Sequence, residues 1–359
     1  MKTLLYSLVI LIGFNANLWA NPEAPVFQKI EKEKRIVKTF KVSKDNLLTV
    51  DNRFGDVHIA TGNTDQLAIE VVITAKSRDE KSVQEKLDDI DVIFSKKSNT
   101  VFAQTKITDH SGWFQRFRSS KVAFKIDYFI EMPVSNQLSI SNDYGFIYID
   151  ELDGPCTLNC DYGGIVIGRL NNEENVINMD YGNKSRINYI KGGRINTDYS
   201  NIEILEANQL DLNADYTDCD IEVVGTLEFN NDYGEIRIGQ ADVVWAKADY
   251  YTLDISRLKH RLTFKGDYSN VNVLKTYDQL ESIDISSDYT DVNVDLNGCA
   301  NYKFSLKNSY GRIEFNGVKP EFTRKIIENS SQFYEGYSGS KNAKTSIRID
   351  NSYGKINLQ

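Results

Sequence analysis

The 359-residue sequence has few of the residues on which enzymes most often depend. Its three histidines, His58, His110 and His260, are scattered and share no metal-ligand spacing. The sequence contains no Gly-x-Ser-x-Gly motif, no phosphate-binding glycine loop and no His-Glu-x-x-His motif. We therefore predict a protein that is not an enzyme and has no cofactor.

Cysteine is also scarce, with Cys156, Cys160, Cys219 and Cys299 as its four copies. Cys156 and Cys160 lie in a run that is typical of a strand, which would place their Cα atoms about 13 Å apart, too far for a disulfide. Cys219 falls at an apolar position of its segment. The spacing therefore predicts free, buried cysteines that act as small apolar side chains.

Long apolar runs are absent after the N-terminus. Met1-Lys2 precedes an apolar stretch from Leu4 to Phe14, and small residues follow up to Ala20, as in a secretory signal peptide over residues 1–20. An uncleaved anchor is the alternative, and no cysteine follows the run to carry a lipid. We expect an exported protein of the periplasm or cell surface, with no transmembrane segment after cleavage.

The sequence has fewer basic than acidic residues. Removal of the leader takes away only Lys2 from the 42 basic residues, which leaves 41 basic against 51 acidic residues and a net charge of −10. This balance argues against nucleic acid and anionic membrane as main partners.

What the sequence has in abundance is a tyrosine repeat. Eleven tyrosines recur at steps of 18, 19, 18, 17, 17, 17, 18, 21, 21 and 43 residues. Nine of them follow Asp, the last two follow Ser, and Gly follows six of them. They are Tyr144, Tyr162, Tyr181, Tyr199, Tyr216, Tyr233, Tyr250, Tyr268, Tyr289, Tyr310 and Tyr353.

Apolar residues flank each tyrosine with a period of two. One lies four residues before it, and pairs such as Ile165 and Ile167 lie three and five residues after it, so that the parity changes at the tyrosine. Period two indicates strands, and the change of parity indicates a bend. The Tyr181 copy departs from this pattern, which predicts a register slip of about one residue. Since the tyrosines share the parity of the apolar residues before them, we expect them to pack inward or to line the bend, with an exposed binding face as the alternative.

A unit of 17 to 21 residues cannot bury its own apolar face, and it must therefore stack on copies of itself. The prediction is an all-β fold, a single-stranded parallel β-helix (β-solenoid) with about 4.8 Å between rungs. We expect a right-handed coil because parallel crossovers are right-handed, with a left-handed coil as the alternative.

The chain divides into a signal peptide over 1–20, an N-terminal cap over 21–135, a solenoid over 136–317 and a C-terminal segment over 318–359. In the cap, Phe54 occupies the tyrosine position of a degenerate rung, and the spacing of Val83, Leu87 and Ile90 predicts a helix from Ser77, with Ser77 or Asp79 as its N-cap. Strands are predicted over 67–74, 101–105 and 122–132. In the C-terminal segment, residues 320–346 interrupt the array to protect its edge, and residues 346–358 add a last rung.

These residues resemble those of a known family. The run from Asp51 to Ile59, the charged helix, the Asp-Tyr-Gly rungs and the ending from Asn351 to Ile356 are similar to the bacterial putative-adhesin family of β-strand-repeat proteins, long catalogued as a domain of unknown function. The resemblance covers nearly the whole mature chain. It implies an exported β-helix and supplies no catalytic residues.

An aspartate precedes nine of the tyrosines. If these carboxylates stack at about 4.8 Å, neighbours repel by roughly 3 kcal/mol at an effective dielectric of about 20. Either calcium bridges them or, as we favour, each accepts backbone N–H groups at its own bend, as in an Asx-turn. The aspartates are Asp143, Asp161, Asp180, Asp198, Asp215, Asp232, Asp249, Asp267 and Asp288.

The segment over 110–121 concentrates aromatic and basic residues in an otherwise acidic chain. It is either a lid that closes the end of the solenoid or an exposed docking loop for a partner. The candidate binding residues are Trp113, Phe114, Arg116, Phe117 and Arg118.

Three functions follow, in order of preference. The first is an adhesin that presents a rigid face to a glycan, a matrix or an envelope protein. The second is a periplasmic structural or signalling accessory protein, and the third is a polysaccharide-active enzyme with a cleft lined by carboxylates.

Overall fold

The computed structural model describes residues 29–108 and 122–359, and these form a nearly all-β protein. Strands account for 71% of the structure and helix for 3%. All 25 described strands belong to one hydrogen-bonded sheet.

The first third of the chain holds seven strands and one helix. They are β1 (Ile30–Lys41), β2 (Leu47–Asn52), β3 (Val57–Gly62), β4 (Gln66–Ser77), α1 (Glu80–Asp89), β5 (Ile90–Lys97), β6 (Thr100–Ile107) and β7 (Ala123–Pro133).

The middle of the chain holds twelve strands, of which β15 runs through two of the tyrosine bends. They are β8 (Gln137–Asp143), β9 (Phe146–Leu152), β10 (Cys156–Asp161), β11 (Gly164–Leu170), β12 (Asn175–Asp180), β13 (Ser185–Asp198), β14 (Asn201–Asn213), β15 (Thr217–Ile255), β16 (Leu258–Lys265), β17 (Asn270–Val273), β18 (Ser282–Asp288) and β19 (Asp291–Val294). The last six strands are β20 (Tyr302–Ser309), β21 (Arg312–Phe315), β22 (Glu321–Glu328), β23 (Ser331–Ser338), β24 (Thr345–Ser352) and β25 (Lys355–Leu358).

Strands of the middle region pair in parallel with strands two places away along the chain. Thus β10 lies between β8 and β12, and β11 lies between β9 and β13. The pairing aligns equivalent residues: Asp161 is opposite both Asp143 and Asp180, and Leu158 is opposite both Ile140 and Ile177. Each apolar side chain therefore packs between the apolar side chains at the equivalent positions of the two neighbouring strands.

The core is one continuous cluster that follows this alignment. The apolar residue four positions before each of the eleven tyrosines is buried, and so are the pairs after the bend such as Ile165 and Ile167. All four cysteines are free and buried, as predicted. Burial raises the pKa of Cys156 and of Cys160 to about 12, so both thiols stay protonated at neutral pH.

The predicted register slip after Tyr181 lies at Lys184. This residue adopts a φ of 58°, and Ser185 and Ile187 lie opposite Ile202 and Ile204 of the next strand. The segment between Tyr181 and the first buried residue of the following strand therefore contains one more residue than the equivalent segment after Tyr199.

The N-terminal end is covered by antiparallel strands and the helix. β4 pairs antiparallel with both β7 and β1, and β5 pairs antiparallel with β6. Asp79 is the N-cap of α1, where its carboxylate accepts the N–H of Ser82, and the helix buries Val83 and Leu87. Seven of the twelve residues of β1 are charged, which disfavours pairing of its edge with another chain.

The order of rungs at the C-terminal end differs from the prediction. The segment over 346–358 is not the last rung in space, because β24 lies between β18 and β20, and β25 lies between β19 and β21. The interruption forms the hairpin β22–β23, and β23 pairs antiparallel with β20. The returning chain thus fills a gap with parallel partners on both sides, while the hairpin covers the free edge of β20.

We expect Gly163→Ala to destabilise the fold. A Cβ atom at Gly163 would lie 1.9 Å from the carbonyl oxygen of Gly145 in the preceding rung, so the backbone would have to move. Urea denaturation should show a loss of about 1–3 kcal/mol. The matched control is Gly62→Ala, because a Cβ there meets nothing within 4 Å. Equal stability of the two variants would contradict this account of rung contact.

Candidate functional site

One surface feature runs along the whole array, and we call it the tyrosine stripe. Twelve aromatic rings stack one on the next, with ring centroids 4.6–5.5 Å apart and interplanar angles of 1–11°. In spatial order they are Phe54, Tyr144, Tyr162, Tyr181, Tyr199, Tyr216, Tyr233, Tyr250, Tyr268, Tyr289, Tyr353 and Tyr310.

Of the two arrangements expected from their parity, the tyrosines line the bend and do not pack inward. All eleven have φ between 52° and 59°, in the left-handed region, and are 44–63% exposed. A residue in this conformation interrupts the alternation of the strand, so the tyrosine faces solvent and the residue after it, such as Gly163 or Thr217, is buried. Because this conformation costs a residue with a Cβ atom about 1–2 kcal/mol, something must offset it at every rung.

Part of the offset is a hydrogen bond between rungs. The backbone N–H of Tyr144 donates to the carbonyl oxygen of Asp161 at 2.9 Å, and the N–H of Tyr162 donates to that of Asp180 at 3.0 Å. The same bond recurs from Tyr181, Tyr199, Tyr216, Tyr250 and Tyr268. The bend therefore leaves no orphan donor and ties each rung to the next.

The aspartates beside the stripe also bond between rungs. The carboxylate of Asp215 accepts the backbone N–H of Asp232 at 2.8 Å, and that of Asp249 accepts the N–H of Asp267 at 2.8 Å. The donor therefore belongs to the next rung, not to the same bend as an Asx-turn requires, which corrects the sequence-based expectation. These bonds offset the repulsion between stacked carboxylates.

The electrostatic strain on the aspartates is visible at Asp161. Desolvation raises the pKa of its carboxyl group, and the neighbouring charges of Asp180 and Asp143 raise it further. In the part of the chain that the structure describes, no group of three or more His, Cys, Asp or Glu side chains could hold a metal ion.

The stripe offers ring edges and hydroxyl groups rather than ring faces. Each inner ring is covered on both faces by its neighbours, whereas its edge and phenolic oxygen reach solvent. Eleven steps of about 5 Å give the stripe a length of roughly 55 Å. A partner would meet a long row of regularly spaced apolar edges, hydroxyls and carboxylates.

The other sequence-predicted binding residues, Trp113, Phe114, Arg116, Phe117 and Arg118, lie outside the described residues. The residue that the sequence reasoning missed is Trp245, which is 39% exposed. It stands five positions before Tyr250, next to the buried Ala246, and the alternation of the strand could have identified it as outward-facing.

No helix among residues 29–108 and 122–359 is long and apolar enough to cross a membrane. No protein-family model matches the sequence, and no curated protein matches it.

Several solved structures share low similarity with the chain. A putative cell adhesion protein from Clostridium sporogenes is 11% identical, with 91% of this chain and 99% of that one covered and a TM-score of 0.22. A putative lipid binding protein from Parabacteroides distasonis is 10% identical, with 72% and 96% covered and a TM-score of 0.31. A putative adhesin from Parabacteroides merdae is 9% identical, with 72% and 92% covered and a TM-score of 0.31. With TM-scores this low, these likenesses carry no argument about the function of this chain.

We predict a graded response to substitution of Tyr216, an inner member of the stripe. Tyr216→Phe keeps the stack and should be nearly neutral. Tyr216→Ala loses stacking on both sides, about 0.5–1.5 kcal/mol for each pair, and keeps the strained backbone. Tyr216→Gly also loses the stack but relieves the strain, so it should be less destabilising than the alanine variant. Urea denaturation followed by circular dichroism measures the order, and a glycine variant no more stable than the alanine variant would refute the strain argument.

Stability should fall at alkaline pH. Desolvation, and then the adjacent tyrosines, raise the pKa of Tyr216, Tyr268 and Tyr353 above 10.0. A raised pKa contributes stability that is present below pH 10 and is lost as pH rises through the folded-state value. We expect the melting temperature to drop above pH 10, and to drop less in the variant Tyr216→Phe/Tyr268→Phe/Tyr353→Phe. The same drop in both proteins would show that the stripe does not govern it.

Proposed function

We propose that the protein is an exported, non-enzymatic adhesin of the cell envelope, built as a right-handed parallel β-solenoid that presents the tyrosine stripe to its partner. The observation that carries the proposal is the stripe itself, a continuous row of half-exposed aromatic side chains.

The strand pairing supports the proposed solenoid. Strands two places apart pair in parallel and in register across β8, β10 and β12, and likewise across β9, β11 and β13. This is the arrangement that a coil produces when each turn contributes one strand to each side. Such a coil makes a long and rigid scaffold, because every rung is bonded along its length to two others.

A binding role explains why the rings are exposed. Soluble proteins rarely keep large contiguous aromatic surfaces in water without a use, since burial of such area is favourable. Here tyrosine is retained at a backbone position that glycine or asparagine would occupy with less strain. Tyrosine also suits a partly wet interface, because its ring is apolar and its hydroxyl forms hydrogen bonds.

Export and a surface location are supported by the leader-like residues 1–20. The absence of an enzyme role is supported by the scarcity of histidine and by the short segments between rungs, which leave little chain to build a catalytic cleft. An extended face with repeated contacts gains affinity by multivalency, as adhesion to a polymer or matrix requires.

The location can be tested by protease accessibility of the native protein on intact cells and on cells with an opened envelope. We expect digestion on intact cells. Protection until the envelope is opened would overturn the adhesin and favour a periplasmic accessory protein.

The role of the stripe can be tested with the variant Tyr199→Phe/Tyr216→Phe/Tyr233→Phe, which keeps the stack and removes three hydroxyls. Binding of the purified protein to immobilised matrix proteins and glycans should fall at least about tenfold, since each hydrogen bond contributes about 0.5–1.5 kcal/mol. The matched control replaces three tyrosines outside the stripe and outside hydrogen-bond contact with the cleft described below, Tyr148→Phe/Tyr277→Phe/Tyr337→Phe. Equal binding by the two variants would show that the stripe is not the contact surface.

A further inference from the structure

A cleft of about 520 Å³ lies on the outer face of β13 to β15, away from the tyrosine bends, and we call it the Trp245 cleft. Its size falls within the roughly 300–1,000 Å³ that is usual for small-molecule sites. Its lining includes Glu173, Arg194, Asn208, Asp211, Glu228 and Trp245.

The cleft lies where an outward side chain is missing from its floor. Gly192 of β13 lies opposite the exposed Gln209 of the next rung, whereas Gly193 lies opposite the buried Leu210. A Cβ atom at Gly193 would lie 2.3 Å from the carbonyl oxygen of Asn175, so this position is restricted to glycine. The missing side chain at Gly192 thus opens a hollow in the row of outward side chains.

Trp245 gives the cleft an aromatic wall. It belongs to a row of outward residues at equivalent positions of successive rungs, in which its predecessors are Arg194, Asp211 and Glu228. Among the described residues, no other aromatic ring and no cation lies against the indole of Trp245. The indole therefore differs from the rings of the stripe, whose faces are covered by their neighbours.

The charges of the cleft are largely balanced. Lys191 pairs with Glu173 at 2.9 Å, and Arg194 pairs with Asp211 at 2.7 Å, so two of the three lining carboxylates have a cation beside them. Asn208 and Gln209 add amide groups that can both donate and accept hydrogen bonds. Such a site suits an uncharged ligand with many hydroxyl groups better than an anion or a cation.

We propose that the Trp245 cleft binds a neutral oligosaccharide. The indole packs against the C–H face of one sugar ring, and the fixed carboxylates, guanidinium and amides bond the hydroxyls around it. The inference deepens the proposed function, on which its biological meaning rests, by naming a ligand class at a site separate from the tyrosine stripe.

Tryptophan fluorescence gives a direct test on the full mature chain. The sequence has three tryptophans, and the one at position 19 lies within the predicted leader, so Trp113→Phe leaves Trp245 as the only reporter. We would titrate this variant with cellotetraose, chitotetraose and maltotetraose in turn. A saturable change with at least one of them is expected, and no saturable change with any of the three would overturn the proposal.

Site variants then locate the binding by calorimetry. Trp245→Ala and Thr226→Arg, which extends a long side chain from the lining of the cleft, should each weaken binding at least tenfold. Thr252→Arg is the matched control, because Thr252 is a half-buried threonine of the same strand that does not line the cleft. Melting temperatures close to that of the parent protein exclude a folding defect in the variants. Full binding by both cleft variants would overturn the assignment.

The outcomes separate this inference from the proposed function. The stripe variant Tyr199→Phe/Tyr216→Phe/Tyr233→Phe should bind the oligosaccharide as the parent does. If that variant loses the oligosaccharide while Trp245→Ala keeps it, the sugar binds to the stripe and the cleft assignment is wrong. If the protein binds the oligosaccharide but proteases cannot reach it on intact cells, the assignment of the cleft is kept and the proposal of an adhesin is overturned.

Discussion

The left-handed backbone conformation of the tyrosines is the constraint on which the rest of the structure depends. It turns the chain between two strands, reverses which parity faces the core and places the tyrosine N–H where it can donate to the next rung. It is also unfavourable for a residue with a Cβ atom. A single rung could not sustain it, since the stacked ring and the acceptor carbonyl both belong to neighbouring rungs. The bend and the parallel pairing of neighbouring strands therefore stabilise each other through nearest-neighbour contacts.

The residue after the tyrosine extends this coupling into the interior. Ser200 and Thr217 donate their hydroxyls to the carbonyl oxygens of Asp198 and Asp215, two residues earlier, at 2.8 and 3.0 Å. The hydroxyl of Thr217 also accepts the N–H of Ser200 from the preceding rung. Where this position is glycine, as at Gly163, the neighbouring backbone approaches too closely for any side chain. The same corner is therefore built in two ways. Ser or Thr forms hydrogen bonds with the backbone there, whereas Gly lets the neighbouring backbone come into close contact.

Outside the corner, asparagines repeat the principle on the surface. Asn178, Asn196 and Asn213 each donate a side-chain amide hydrogen to the side-chain oxygen of the residue at the equivalent position of the preceding rung, at 2.8–3.0 Å. A second series runs through Asn272, Asn293 and Asn357. Such ladders require that like residues lie directly above one another, which only an in-register parallel stack provides. They show why polar residues of one type recur at fixed positions although they are not in the core.

Much of this arrangement can be predicted from the sequence. The apolar positions before and after the tyrosines, the slip at Lys184, the N-cap of α1 and the buried cysteines follow from period two, helical spacing and residue type. The direction of the tyrosines could not be predicted, because no sequence signal marks a non-glycine residue as left-handed and parity alone then gives the wrong face. The order of the last rungs could not be predicted either, because the position of β24 between β18 and β20 depends on contacts between residues distant in sequence.

The two candidate surfaces differ in what they can bind because one consists of repeated residues and the other of residues that break the repeat. A repeated residue must present the side of its ring that its neighbours do not use, so the stripe offers edges and hydroxyls to a partner of indefinite length. Trp245 interrupts its row instead of repeating, and Gly192 lacks a side chain three rungs before it. Such a break in the repeat places an indole without a stacked aromatic neighbour in the lining of the cleft. Regular positions therefore build the scaffold and its extended surface, whereas irregular positions shape the cleft in which we place a small ligand.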